Sequence, residues 1–326
     1  MQKQELLYLS KADVVSLGLT MAEVISEVEK GFVEMGHGRV EMPPKPGIHP
    51  GEGGDNFIHA MPASIPALDS AGVKWVSGYP PNQAKGLPYI TGLLILNDPM
   101  TGIPISVMDC AWITAMRTGA ASAISAKYLA RKESSKIGIL ACGVQGHANL
   151  EAMNVLFPLK DVKAFDVDAE RAKQLAGFAK KLGLEVEIVK DPRQAVTGRD
   201  IVVTAGPILK KPHETIKANW LDPGAFASLV DFDSFWSRDA VKQANKWTTD
   251  HLGQYNYYKN SAGYFQGCPE VHAELGELVT GKKAGRENND ERNFAANLGI
   301  ALEDMSVAPL VYKRAKEKNI GTLLQL

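Results

Sequence analysis

Residues 136–147 read KIGILACGVQGH, and this segment is the strongest indication of the fold class. Its apolar first half predicts a β-strand, Lys136–Ala141, and the small residues that follow predict a tight turn into a helix. Ala141, Gly143 and Gly146 occupy the three small positions of a G-x-G-x-x-G fingerprint, with alanine in place of the first glycine. Such a turn presents backbone N–H groups and the positive end of a helix dipole, so we expect it to bind the pyrophosphate of a dinucleotide.

An acidic residue follows the next predicted strand, Val162–Phe165. Asp166 comes 20 residues after Gly146, the spacing at which a carboxylate hydrogen-bonds the ribose 2′-hydroxyl of NAD. A carboxylate there repels the 2′-phosphate of NADP, so the sequence favours NAD(H) over NADP. The alternative is a glycine-rich turn without a ligand, followed by an ordinary helix cap at Asp166 or Asp168. The residues expected at the cofactor are Ala141, Gly143, Val144, Gln145, Gly146, Asp166, Thr204 and Ala205.

The predicted secondary structure follows two different patterns, one in the first 115 residues and one from residue 135 onward. From residue 135 onward, predicted strands alternate with helices, which is typical of βαβ units around a parallel sheet. The first 115 residues instead contain two helices, for which Ser10 and Thr20 are candidate caps, followed by strands and a hairpin turn at 97–102. The sequence therefore predicts an α/β protein with a Rossmann-type domain and a second, smaller domain.

Composition and charge exclude several classes of protein. The 326 residues contain 36 Lys and Arg against 37 Asp and Glu, so the chain lacks the basic excess of a nucleic-acid-binding surface. The apolar run at 6–9 is too short for a signal peptide, and the run Ile90–Leu96 is too short to span a membrane. Three cysteines make no disulfide framework, and seven histidines show no metal-ligand spacing. We expect a cytoplasmic protein with no metal, nucleic-acid or membrane partner.

Six short motifs are distributed between residues 73 and 304. They are VKWV at 73–76, GYPPN at 78–82, LNDPMTGIP at 96–104, TAMRTGAAS at 114–122, GKKAGR at 281–286 and GIALED at 299–304. Together they resemble the ornithine cyclodeaminase/μ-crystallin family. The resemblance implies a homodimer in which a Rossmann NAD-binding domain, at 116–304, is inserted into a smaller α+β substrate-binding and dimerisation domain. The two parts of that smaller domain would be 1–115 and a C-terminal helix at 305–326.

The resemblance also implies roles for polar residues of the first domain. Lys45, Lys74 and Arg117 match positions that bind the substrate carboxylate, and His59 matches a position near the distal part of the substrate. A guanidinium suits a carboxylate because it offers paired N–H donors. Lys74 lies within an apolar strand, where an unpaired ammonium is costly, so a role in catalysis is also expected. For Lys45 the alternative is a solvated surface lysine, and for His59 a satisfied, half-buried histidine.

Two aspartates compete for the role of the family's catalytic acid. Asp233 follows the predicted strand Ala225–Val230 at the gapless position of the catalytic aspartate, and Asp231 lies two residues earlier. Reduction of an imine carbon requires a protonated nitrogen, so an acid has to lie within hydrogen-bonding reach. Either aspartate could instead cap a helix that begins near Ser234.

These features predict an NAD(H)-dependent oxidoreductase that acts on the C–N bond of an amino acid or its α-imino acid, as an imine or ketimine reductase or an amino-acid dehydrogenase. One alternative is a cyclodeaminase of the ornithine or lysine type with catalytic NAD. Another is a non-catalytic, μ-crystallin-like binding protein. His59 replaces a glutamate usual in ornithine cyclodeaminases, and the loop 231–236 replaces their Gly-Gly-Asp-Cys-Pro-Gly-Lys segment, which disfavours ornithine as the substrate.

Overall fold

The computed structural model describes residues 4–51 and 56–326. The first three residues of the segment considered above for a signal peptide lie outside these ranges. The chain divides into two compact units: unit 1 contains Met1–Arg117 and Ile300–Leu326, and unit 2 contains Thr118–Gly299. The structure thus groups residues 300–304, which the sequence analysis assigned to the Rossmann domain, with unit 1.

A mixed sheet forms the centre of unit 1. Its strands are β1 (Glu5–Leu9), β2 (Gly47–Ile48), β3 (Phe57–Ile65), β4 (Ser70–Gly78), β5 (Ile90–Asn97), β6 (Pro104–Asp109) and β15 (Thr322–Gln325). The strand order is β15-β1-β6-β5-β4-β3-β2, and the β1–β6 pair is parallel. The helices are α1 (Lys11–Ser16), α2 (Met21–Gly36) and α9 (Ala301–Lys318), while α3 (Ala111–Leu129) begins in unit 1 and continues into unit 2. Short 3₁₀ helices lie at Pro66–Leu68 and Pro80–Lys85.

The two faces of this sheet differ in burial because side chains alternate along a strand. Lys74 on β4 is paired across the sheet with Leu94 on β5, and both are fully buried. Helix α9 contacts β3, β4 and β5, and it also packs against α2, where a Cβ added to Gly31 would collide with the Ser306 side chain. On the opposite face, the neighbouring pair Trp75 and Leu93 is 49% and 44% exposed.

Unit 2 contains a fully parallel sheet. Its strands are β7 (Lys136–Leu140), β8 (Asp161–Phe165), β9 (Val186–Ile188), β10 (Ile201–Thr204), β11 (Phe226–Leu229), β12 (Lys246–Thr249), β13 (Ala273–Glu274) and β14 (Asn293–Ala296). The strand order is β13-β12-β14-β11-β10-β7-β8-β9. The helices are α4 (Val144–Leu156), α5 (Ala169–Lys181), α6 (Arg238–Val241), α7 (Leu252–Ser261) and α8 (Leu275–Val279), with a 3₁₀ turn at Pro192–Ala195. The predicted α/β fold with a parallel sheet is confirmed.

Local signals predicted the helix starts well and the C-terminus poorly. Ser10 and Thr20 both form the predicted caps, each in a reciprocal capping box. The domain division above ends in a C-terminal segment at 305–326, but the helical sequence pattern itself covers 300–318, and α9 ends there, at Lys318, where Asn319 turns the chain through a left-handed conformation. Residues 322–325 then pair with β1 as an antiparallel strand. Across the described ranges, no helix has the length and apolar character needed to cross a membrane.

Candidate functional site

The fingerprint turn between β7 and α4 has the geometry of an anion site. Ala141, in the position of the first glycine, adopts a left-handed conformation with φ of 74°, which explains why glycine is usual there. Gly143 is the N-cap of α4, and no side chain caps the helix. A Cβ added to Gly143 would meet no atom within 4 Å, whereas one on Gly146 would lie 2.5 Å from the carbonyl oxygen of Ala141. The turn therefore has open space in front of an uncapped helix N-terminus, as a pyrophosphate requires.

Two further residues of this turn, Val144 and Gln145, are the first two residues of α4. The Val144 side chain is 70% exposed. The side-chain oxygen of Gln145 is buried and has no hydrogen-bond partner among the described residues. Both observations fit a dinucleotide that covers the start of the helix.

Asp166 is held rigidly at the end of β8. One carboxylate oxygen accepts a hydrogen bond from the Cys142 backbone N–H at 2.6 Å, and the other accepts from the Asp168 N–H at 2.8 Å. Asp168, not Asp166, caps helix α5 by accepting from the Glu170 N–H. The helix-cap interpretation therefore applies to Asp168, and Asp166 keeps the position expected of a ribose-binding carboxylate.

Thr204, the last residue of β10, forms side-chain hydrogen bonds with two other residues of unit 2. Its hydroxyl donates to a carboxylate oxygen of Asp231 at 2.6 Å and accepts from the indole N–H of Trp236 at 3.2 Å. Asp231 is fully buried, and burial raises its pKa to about 7 against the opposing effect of the Thr204 hydrogen bond. Ala205, the other residue predicted at the end of this strand, donates its N–H to Leu140 on β7. The site thus contains a carboxyl group that can gain or lose a proton near neutral pH.

Asp233 has a different environment from Asp231. It is 1% exposed and forms an ion pair with Arg238 from the start of α6. The thiol of Cys268 lies 3.9 Å from the same carboxylate oxygen, and burial raises the pKa of this thiol to about 12. The sequence analysis missed Arg238, although an arginine five residues after a loop aspartate is within reach across one turn.

Lys74 and Arg117 lie together in unit 1 with two acidic residues that the sequence analysis did not select. Lys74 Nζ is 2.6 Å from Asp304, whose other oxygen accepts from Arg117 Nε at 3.2 Å. Arg117 Nη1 donates to Glu303 at 2.5 Å. We call Lys74, Arg117, Glu303 and Asp304 the buried charge quartet, because none is more than 5% exposed. The GIALED motif at 299–304 contained the signal for both acids.

The protonation of Lys74 depends on its neighbours in the quartet. Burial lowers the pKa of Lys74, and the positive charge of Arg117 lowers it further. The carboxylate of Asp304 acts in the opposite direction, through both its charge and its hydrogen bond. Lys74 Nζ also lies 3.5 Å from the hydroxyl of Thr114. The ammonium form is therefore favoured chiefly by Asp304.

His59 lies on β3, and the positive charges of Lys45 and Lys74 act on it. The His59 ring stacks on Phe57 with centroids 4.5 Å apart, and a Cβ added to Gly47 would collide with it. Burial lowers the pKa of His59 to about 3, and the positive charges of Lys45 and Lys74 contribute. His59 is therefore a neutral imidazole at physiological pH. Within residues 4–51 and 56–326, no cluster of His, Cys, Asp and Glu could hold a metal ion.

Comparisons with known proteins bear on both units. Residues 5–319 match the sequence profile of the ornithine cyclodeaminase/mu-crystallin family. The alanine dehydrogenase of Archaeoglobus fulgidus is 36% identical over 98% of both chains. The Δ1-pyrroline-2-carboxylate reductase of Thermococcus litoralis, solved with NADH and L-proline, has a TM-score of 0.87 at 35% identity, covering 97% of this chain and 99% of its own. An archaeal alanine dehydrogenase dimer with bound NAD has a TM-score of 0.86 at 34% identity, covering 98% and 99%.

Proposed function

Because the chain belongs to the ornithine cyclodeaminase/mu-crystallin family, we propose that it is an NAD(H)-dependent oxidoreductase acting on the C–N bond of an amino acid or its α-imino acid. The observation that carries this proposal is that one chain contains both an uncapped fingerprint turn with a fixed Asp166 and a buried pair of cations, Lys74 and Arg117. Relatives of similar length and more than a third identical include an alanine dehydrogenase and a pyrroline-2-carboxylate reductase solved with NADH.

The fingerprint turn fits NAD(H). Backbone N–H groups at Gly143 and the start of α4 bind the pyrophosphate, and Asp166 accepts hydrogen bonds from the adenosine ribose hydroxyls. Because Cys142 and Asp168 already fix the Asp166 carboxylate, its negative charge stays at that position and repels a 2′-phosphate. When bound, the nicotinamide supplies hydride chemistry at the substrate Cα.

Lys45, Lys74 and Arg117 bind the substrate carboxylate. A small amino or imino acid offers a single carboxylate as its strongest anchor, and guanidinium and ammonium groups can donate charge-assisted hydrogen bonds to it. Holding the carboxylate fixes the substrate Cα relative to the protein, which is the main task of a binding site in hydride transfer.

Asp231 exchanges the proton with the substrate nitrogen. An effective acid has a pKa near the working pH, and burial places the pKa of Asp231 at about 7. Asp233, in contrast, forms an ion pair with Arg238, and we propose that this ion pair fixes the loop 231–236. Asp231→Asn should then lower kcat more than Asp233→Asn does in variants that remain folded.

The surroundings of His59 limit the substrate side chain. His59 carries no charge at neutral pH, and the cations Lys45 and Lys74 both act on it electrostatically. A side-chain ammonium, as in ornithine or lysine, would meet like charge there. We propose that substrates have neutral or acidic side chains, which makes cyclodeamination of ornithine or lysine the less favoured reaction.

The exposed sheet face of unit 1 supports a homodimer. Tyr8, Trp75 and Leu93 are 37%, 49% and 44% exposed on β1, β4 and β5, and apolar side chains grouped on one face are typical of an interface. A second copy is the occupant we propose, since an archaeal relative of the same length was solved as a dimer. Light scattering should give about twice the 35.3 kDa of one chain, and a single-chain mass would contradict it.

Three free cysteines support a reducing compartment. Cys110, Cys142 and Cys268 are all buried thiols, and secreted proteins of similar size more often pair such residues as disulfides. We propose that the protein works in the cytoplasm.

The test follows nicotinamide absorbance and ammonia together. The purified protein receives NADH with 1-pyrroline-2-carboxylate, other cyclic imines, or 2-oxo acids plus ammonia, and then NAD with alanine, proline, ornithine or lysine. We expect net NADH consumption or formation. Release of ammonia from ornithine or lysine without net NADH change would identify a cyclodeaminase, and binding without turnover would identify a binding protein.

A second experiment tests the residues of unit 1. Arg117→Lys keeps the positive charge but loses the planar fork that binds a carboxylate through two N–H groups. We expect KM for the imino acid to rise by roughly tenfold or more, the effect of losing about 1.4 kcal/mol, while the Kd for NADH stays unchanged. Equal kinetics of the two proteins would refute the role of Arg117.

A further inference from the structure

Asp304 occupies a central position in the buried charge quartet, because each of its two carboxylate oxygens contacts a different cation. Oδ2 lies 2.6 Å from Lys74 Nζ, and Oδ1 accepts from Arg117 Nε at 3.2 Å. The two cations come from different elements, β4 and α3, whereas Asp304 belongs to the first turn of α9. A single carboxylate therefore fixes the distance and relative orientation of both cations.

We propose that Asp304 is a positioning residue: it aims Lys74 and Arg117 at the substrate carboxylate and keeps Lys74 in the ammonium form. This proposal rests on the proposed function, which supplies the substrate carboxylate. The ion pairs of Asp304 with Lys74 and Arg117 are a property of unit 1 alone. Asp304 touches the two cations and acts through them, so it is not counted as a catalytic residue.

Glu303 has a separate task in the same turn. Its Oε2 accepts from Arg117 Nη1 at 2.5 Å, and its Oε1 accepts from the backbone N–H of Ile300, the N-cap residue of α9, at 3.4 Å. Glu303 thus joins Arg117 to the start of α9, while Asp304 joins the same turn to Lys74 as well as to Arg117. The two acids should affect different properties of the enzyme when each is changed.

Among the groups that act on Lys74, Asp304 is the one that most favours its ammonium form. Arg117 from α3 and burial both oppose the ammonium form, while Asp304 and the thiol of Cys110 favour it. Cys110 is itself protonated at neutral pH, because burial raises its pKa to about 11. His59 on β3 is neutral, and Lys45 adds only further positive charge. Without the Asp304 carboxylate, Lys74 loses its proton at a lower pH.

The decisive variant is Asp304→Asn, which keeps the shape of the side chain and removes its charge. Using the full-length enzyme with NADH and 1-pyrroline-2-carboxylate as the probe, we expect the basic limb of the kcat/KM profile to move to lower pH by at least roughly one pH unit. KM should rise more than kcat falls, and the Kd for NADH should not change. A basic limb at the wild-type pH would overturn the proposal.

Two matched variants separate this effect from general damage. Glu291→Gln makes the same acid-to-amide change in a buried ion pair of unit 2, where Glu291 lies 2.8 Å from Lys246, and it should leave the pH profile unchanged. Glu303→Gln should raise KM through Arg117 without moving the basic limb. A shifted limb in either variant would mean that the limb does not report the Lys74–Asp304 pair.

A melting experiment tests the pair without any turnover. Asp304→Asn leaves an uncompensated ammonium in a dry interior and should lower Tm, whereas adding Lys74→Met removes that charge. The double variant should therefore melt at a higher temperature than Asp304→Asn alone. Additive losses would overturn the proposed pairing. If the wild-type enzyme turned over no imino or amino acid, the proposed function would fail, while this comparison would still decide whether Asp304 holds Lys74.

Discussion

The buried carboxyl group of Asp231 makes the stability of unit 2 depend on pH, and Asp231→Asn should remove that dependence. Burial raises the pKa of Asp231 to about 7 in the folded protein, whereas an aspartate in an unfolded chain has a pKa of ~3.9. Between these values the folded protein holds a proton that the unfolded chain has released. The resulting stabilisation is complete below the unfolded pKa and is lost as the pH rises through the folded pKa.

The magnitude follows from the two pKa values. Each pH unit between them changes the free energy of unfolding by about 1.36 kcal/mol, so wild-type stability should fall by about 2.5 kcal/mol between pH ~5 and pH ~8 from this group alone. Most of that loss occurs below pH ~7, where the folded protein still holds the proton that the unfolded chain has released. Asparagine keeps an oxygen that can accept the Thr204 hydrogen bond, recorded at 2.6 Å for the aspartate, so the variant loses the titration and keeps the contact.

Urea unfolding at a series of pH values measures the effect. The fluorescence of Trp236 and Trp247, both buried in unit 2, reports its unfolding. The quantity of interest is the difference in free energy of unfolding between wild type and Asp231→Asn, which should change by about 2.5 kcal/mol across the range. Asp239→Asn, at an exposed position in α6, controls for the loss of a negative charge. A difference that stays constant with pH would contradict a raised pKa at Asp231.

Two further variants test the nucleotide site. Asp166→Ala should raise KM for NADH and reduce its advantage over NADPH by roughly tenfold, because it removes a charged hydrogen-bond acceptor from the ribose together with the repulsion of a 2′-phosphate; steady-state kinetics with both cofactors measure this, and an unchanged preference would contradict the assignment. Ala141→Gly should raise the free energy of unfolding by about 1 kcal/mol, because alanine is strained at a φ of 74°; a lower Tm in the variant would count against this explanation.

The nucleotide half of the site was predictable because its signal is local. The positions of Ala141, Gly143 and Gly146 are separated by two or three residues, and their geometry follows from one strand, one turn and one helix. The spacing to Asp166 is set by a single βαβ unit. Short-range sequence pattern therefore predicted a tight turn here, and the structure adds that Ala141 adopts a left-handed conformation in it.

The substrate half was predictable only in part, because its partners are distant in sequence. Lys74 and Arg117 were selected through the family resemblance, and Lys74 also through its apolar strand, but their counterions are on a helix near the other end of the chain, 187 residues after Arg117 in the case of Asp304. No local pattern indicates which strand that helix covers. Strand β14 was missed for a related reason: Asn-Phe-Ala-Ala lacks β-branched residues, and its burial between β11 and β12 is a property of the sheet.

The discontinuity of unit 1 has a consequence for the order in which the protein folds during synthesis. Lys74 and Arg117 leave the ribosome long before Glu303 and Asp304, and at about 5–20 residues per second the delay across 187 residues is roughly 10–40 s. During that interval Glu303 and Asp304 are not yet available, so the buried charge quartet cannot form and unit 1 cannot complete its core. Residues 118–299 are contiguous and can fold first. The nascent N-terminal segment therefore stays incompletely folded, with its apolar strands accessible to chaperones, until α9 supplies Glu303 and Asp304.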